Sequence, residues 1–223
     1  MSISRLGRLA VLGAAVALLS GCGAARPGLA AEVGEKTITV NEVDELTDSL
    51  CAVQKDVPGQ DPNAPQVVSG EQARNSALQA LILRSIADQM ADDYGVESGS
   101  DFQAQVHQVR LQFGTVDDDL VEAALPAYTS IAYFIDIMRQ IGDTTANGLS
   151  DDEALAAGIK LAQTWETENG VETNPKFDSF SIGAQEIKSE RSDLAFGVSK
   201  AAKDAEEGSD GYAASLPESQ RCG

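Results

Sequence analysis

Tyr128-Thr-Ser-Ile-Ala-Tyr-Phe-Ile-Asp-Ile-Met-Arg-Gln-Ile141 is the most apolar stretch of the chain beyond its first 21 residues. At helical spacing its large side chains (Tyr128, Ile131, Tyr133, Phe134, Ile135, Ile137, Met138 and Ile141) point in nearly every direction around the axis. A helix apolar on almost all sides belongs in the middle of a core, with other helices around it. This segment therefore predicts a helical protein built around residues 128–141.

The flanking sequence supplies the partners. Upstream, Thr115 and the acids Asp117, Asp118 and Asp119 start a helix carrying Leu120, Val121, Ala124 and Leu125. Acids in a first turn complement the helix dipole, and Pro126 is expected to kink or break that helix. Ser100 with Gln103 caps a helix striped by Phe102, Val106, Val109 and Phe113, ending at Gly114. Ser69 with Gln72 caps a longer one, in which Leu78, Ile82, Ile86, Met90 and Tyr94 recur every four residues beside Leu81, up to Gly95. Downstream, residues 142–149 read as a turn. Ser150 with Glu153 is a capping box opening a helix with Leu155, Ile159, Ala162 and Trp165, ended by Gly170.

Nearer the start, residues 31–40 hold two short β-type runs around Gly34, which predicts a hairpin or a bent strand. Asn41, with Asp44 three residues on, reads as the N-cap of a helix over 42–55 carrying Val43, Leu46, Leu50 and Val53. Residues 56–70 hold three Pro and two Gly and read as a loop. Val171 to Phe177 contains Asn174-Pro175 and reads as an extended edge segment. The expected fold class is mainly α, about six helices with a small β element made of the opening hairpin or strand and a late strand. Its expected divisions are a leader over 1–21, a tether over 22–30, a helical domain over 31–180 and a partly ordered extension over 181–223.

The leader is read from its own pattern. Arg5 and Arg8 precede an uncharged apolar run, Leu9–Leu19, of 11 residues. A bilayer span needs about 20, so the run suits a signal peptide. Leu19-Ser20-Gly21-Cys22 then resembles a lipobox: an aliphatic residue, two small ones and a cysteine. This pattern predicts cleavage before Cys22 and acylation of its thiol and amine, palmitate included. Two or more acyl chains hold a protein on a membrane where one does not. The expected place is the extracytoplasmic face of the cell membrane.

Charge and cysteines narrow the partners. The formal net charge is −19, and loss of Arg5 and Arg8 with the leader makes it −21. So acidic a chain does not neutralise phosphates, and nucleic acid is excluded as a partner. Beyond Cys22 only Cys51 and Cys222 remain. In an oxidising exported setting a Cys51–Cys222 bridge is expected, the alternative being two unpaired thiols.

Catalytic patterns are missing. The single histidine, His107, sits at the edge of an apolar stripe and reads as a surface or packing residue. There is no Gly-x-Ser-x-Gly elbow, no second histidine for a metal pair and no Gly-rich phosphate loop. Asp143, Thr145, Asn147, Gly148 and Asp151 weakly echo a calcium loop, but Ala154 stands where a bidentate Glu is needed. No metal, no cofactor and no enzymatic activity are expected.

The order of features resembles the N-terminal chaperone domain of SurA-like and PrsA-like extracytoplasmic foldases, which is related to part of trigger factor. The resemblance rests on Val33-Gly34 through Ile38-Thr39-Val40 leading into a capped helix, on the Leu- and Ile-rich helix over 72–94, and on the helix ending at Gly170 followed by Val171-Glu172-Thr173-Asn174-Pro175-Lys176-Phe177. Ser192-Asp193-Leu194-Ala195-Phe196-Gly197-Val198-Ser199 is similar to the end of actinobacterial lipoproteins of this group. The resemblance implies that the late segment returns to pair near the opening strand. It also implies a chaperone-like role toward unfolded or exported polypeptides. The residues after Phe177 hold few apolar positions and no histidine, so no parvulin isomerase domain is expected. An apolar groove between helices would hold the client, with Leu81, Ile82, Tyr128, Tyr133, Phe134 and Met138 as its candidates. The alternative is an accessory lipoprotein docking on one cell-envelope partner.

Overall fold

The computed structural model describes residues 27–56, 68–145, 148–183, 187–190, 199, 203 and 210–222. The leader and Cys22 lie outside the described residues, as do Asn147 of the calcium-like pattern and residues 192–198 of the late motif.

The chain enters through a hairpin. Strand β1 (Leu29–Val33) pairs antiparallel with β2 (Lys36–Thr39), register Val33 to Lys36. Gly34 makes the turn at φ 54°, and a Cβ there would meet Gln89 and the Trp165 ring, so both conformation and space demand glycine. The tether is shorter than the sequence implies: Ala30 is already fully buried in β1.

Helix α1 (Val40–Asp56) follows without a break. Its cap is Thr39 and not Asn41: the Glu42 carboxylate accepts from Thr39 N and Oγ1, each at 2.7 Å, and Glu42 N donates back to Thr39 Oγ1 at 3.2 Å. This is the reciprocal capping box, two residues earlier than expected. Strand β3 (Val68–Ser69) leads into α2 (Gly70–Tyr94), where Ser69 Oγ accepts from Gln72 N at 3.1 Å and Gly95, at φ 64°, closes the C-terminus.

Helix α3 (Ser100–Gln112) is short, and α4 (Asp118–Thr145) is long. Asp117 Oδ1 accepts from Asp119 N at 3.0 Å at the start of α4, so the acids there serve the helix end. Pro126 lies inside α4 and does not end it. The helix also runs through Gly142, which was expected to begin a turn. Tertiary packing accounts for both: α4 touches α1, α2, α3 and α5 (Asp151–Asn169), and Phe134, Ile137, Met138 and Ile141 are at most 3% exposed. Among the described residues α4 is the one helix long and apolar enough to cross a membrane. Here its place at the centre of the bundle accounts for that apolarity.

Helices α4 and α5 approach to backbone contact. A Cβ on Gly142 would strike the Ala154 backbone, and one on Gly158 the Met138 backbone. After α5, β4 (Val171–Thr173) returns to β1 in antiparallel register, giving the order β2-β1-β4. Gln89 of α2 ties this sheet down: its amide donates to Val33 O at 2.9 Å and accepts from Glu35 N at 3.1 Å.

Hairpin β5 (Ser179–Ile182) and β6 (Ile187–Glu190) runs across residue 180, and Phe180 and Ile182 are buried. The core thus continues past the expected boundary. The tail forms α6 (Asp210–Ser215) and β7 (Arg221–Cys222), which pairs with β3. A disulfide joins Cys51 to Cys222 across 171 residues of sequence. The fold is mainly α, with six helices and small sheets among the described residues, as the sequence predicts.

Candidate functional site

Helix α3 covers only part of α4. Its buried residues Phe102, Val106 and Val109 face inward, and ring contacts fasten it: Phe113 to Tyr128 at 4.7 Å and Phe102 to Tyr133 at 5.1 Å between centroids. Beside this contact α4 stays open. Ile131 is 55% exposed, a large apolar side chain left in water within the most apolar segment of the bundle. The opening is a cleft of about 430 Å³, within the size range of ligand pockets. Its walls are Asp101, Phe102 and Gln105 of α3 and Tyr128, Ile131, Ala132, Ile135, Asp136 and Arg139 of α4.

The polar end of the cleft is tied to the start of α3. The sequence places a cap at Ser100, yet Gly99 occupies the N-cap position and has no side chain to offer. Asp136 of α4 instead holds the backbone of the N-cap residue: Gly99 N donates to Asp136 Oδ2 at 2.7 Å. Arg139 Nη1 lies 3.7 Å from Asp101 Oδ2, too long for a hydrogen bond, and Arg139 Nε is buried with no partner.

Tyr133 stands just behind the cleft. Its hydroxyl donates to Asp88 Oδ1 at 2.8 Å and the Arg84 guanidinium lies 4.8 Å from the ring centroid. Burial first, and then the Asp88 carboxylate, push its phenol up to about 12. Burial also pushes the Tyr128 phenol up.

The six groove candidates divide. Ile82, Phe134 and Met138 are 1%, 3% and 0% exposed and belong to the closed core, so they offer no surface to a client. Leu81, Tyr128 and Tyr133 are half-buried, and of these only Tyr128 lines the cleft. The other eight cleft residues, Phe102, Ile131, Ile135 and Asp136 among them, were not candidates from the sequence. Ile131 and Ile135 do lie one turn apart, but nothing in the run marks which side of an all-apolar helix its neighbours leave bare.

A second cleft, of about 330 Å³, lies where the tail meets α2. Arg74 there pairs with Asp44 at 2.7 Å and stacks 5.4 Å from the Phe177 ring centroid, with Lys176 and Tyr212 on the rim. These pairings tie α2 to α1 and to the segment after β4. His107 is exposed on α3, away from both clefts. Among the described residues no group of three His, Cys, Asp or Glu side chains is placed to hold a metal ion. Comparison with family models, with curated proteins and with solved structures found no match to the chain.

Proposed function

We propose that the chain is a lipid-anchored extracytoplasmic protein that binds segments of unfolded or exported polypeptide in the α3–α4 cleft and catalyses no reaction. The carrying observation is Ile131, more than half exposed on the floor of an aromatic-walled cleft in the most apolar helix. Scattered exposed aliphatics are ordinary, but one set in a concave site with aromatic neighbours and a few polar groups is the arrangement of a binding site. The Leu19–Cys22 lipobox supports the anchor, and the resemblance of Val33–Val40, the 72–94 helix and Val171–Phe177 to foldase chaperone domains supports the class of client.

The test is aggregation of a reduced model client in the presence of the purified full chain in lipid nanodiscs. The chain is expected to suppress aggregation, and Ile131→Ser to weaken the effect severalfold without lowering the melting temperature. Exposed Leu111, 60% accessible on α3, favours the second reading, docking on one envelope partner. If aggregation is unaffected and a single envelope protein co-purifies in equal amount, with Leu111→Ser releasing it, that second reading replaces the first.

A further inference from the structure

Asp136 is the buried acid of the cleft. It lines the polar end with Asp101 and Arg139, and it is only 4% exposed. A carboxylate so far from water is costly unless paired and hydrogen-bonded. Gly99 N supplies one neutral donor, at 2.7 Å, to a group that can accept about four hydrogen bonds. Among the described residues no cation pairs with it. Arg139, three residues along α4, sits nearest Asp101 instead, and loosely, at 3.7 Å. The Arg139 Nε is a buried donor lacking an acceptor. The cleft thus holds an under-satisfied anion and an under-satisfied donor beside an exposed apolar floor.

One kind of occupant answers all three features. We infer that the cleft takes polypeptide segments in which a Lys or Arg side chain stands next to apolar residues. The cation closes on the Asp136 carboxylate, and the apolar neighbours lie against Ile131, Ile135 and Phe102. A carbonyl of the segment's backbone gives Arg139 Nε its acceptor once the guanidinium turns toward it. The charge of the whole chain, −19, acts in the same direction, drawing basic segments in and raising their on-rate. An acidic segment meets Asp101 and Asp136 together and is rejected. This inference rests on the cleft being a polypeptide site and adds the chemistry of the polypeptide.

The test uses the full chain in nanodiscs and two fluorescein-labelled peptides of Leu and Ala, identical except for a central Lys in one and norleucine in the other. Binding is read by fluorescence anisotropy. The Lys peptide is expected to bind at least about tenfold more tightly, the scale of one charged hydrogen bond, and to lose this advantage at high salt. Asp136→Asn, which keeps an acceptor for Gly99 N, is expected to erase the difference between the two peptides. Ile131→Ser is expected to weaken both peptides. Equal binding of the two peptides to the unaltered chain overturns the inference whether or not Asp136→Asn folds, and leaves the proposed function standing if Ile131→Ser still weakens both. A Lys preference that survives in folded Asp136→Asn overturns it as well, assigning the preference to bulk charge. If neither peptide binds and the client aggregates as freely as without the protein, the proposed function falls with it.

Discussion

Phe134 and Ile131 stand three residues apart in one apolar run, and their fates are opposite. Phe134 is 3% exposed and Ile131 55% exposed. Nothing in the residue types separates them; the difference is which side of α4 receives a neighbouring helix. Tyr133, between them, carries the sharpest single-residue consequence. Its phenol is pushed from 10.0 up to about 12 by burial and by its bond to Asp88. The neutral form is the one the fold favours. Its contribution to stability is therefore complete below pH 10.0 and lost as pH rises through about 12. An ultraviolet titration of phenolate is expected to show one of the four tyrosines ionising last, and Tyr133→Phe to remove that final step. A native protein whose tyrosines all ionise together near the ordinary value would contradict the Tyr133–Asp88 hydrogen bond.

At the scale of elements, the starts of α2 and α5 were legible to the residue, because caps are local chemistry, while those of α1 and α3 were off by two residues and by one. Ser69 and Gly95 bound α2 as their residue types require. Ser150 does the same for α5: its N and Oγ both donate to the Glu153 carboxylate, at 3.0 and 2.7 Å. Those bonds hold the Glu153 carboxyl below its ordinary value, the backbone bond contributing most. This support is present above the ordinary carboxyl range and lost as pH falls through the lowered value. Ser150→Ala is expected to lower stability by about 1 kcal/mol at neutral pH, and by less in acid, as measured by urea denaturation followed by circular dichroism. The helix interiors were harder. Pro126 reads as a break and Gly142 as a turn, yet α4 passes through both because packing on four helices outweighs local preference. Gly142 and Gly158 mark the reason α5 lies so close. Alanine favours an isolated helix over glycine by about 1 kcal/mol, but Gly158→Ala is expected to destabilise this protein by about 1–3 kcal/mol or more, since its methyl meets the Met138 backbone. Thermal melts that rise on Gly158→Ala would show that the helices stand further apart.

Over the whole molecule, the Cys51–Cys222 disulfide ties the end of the chain to its body. The Cys51–Cys222 bridge holds β7 beside β3 and keeps the tail against α1 and α2. Cys222 is fully buried, so the bridge joins body to tail inside the packed protein. Replacing both cysteines by alanine is expected to lower stability by about 2–4 kcal/mol, read as a lower urea midpoint and matched by the wild-type chain under reductant. An unchanged midpoint would mean that the tail contributes no loop constraint. At the other end, Cys22→Ser is expected to move the protein out of the membrane fraction and to remove the acyl mass from its N-terminus. The sequence by itself determined that the protein is helical, where most helices begin, that an opening hairpin leads in, and that two cysteines stand to be joined. Each of these rests on spacing and capping within a few residues, or on counting thiols. Only the tertiary structure decided that α4 is one helix, that Ile82, Phe134 and Met138 are core, and that the cleft lies at Ile131 and Asp136. A binding surface is what the neighbouring helices leave uncovered, and an apolar run carries no mark of which face that is.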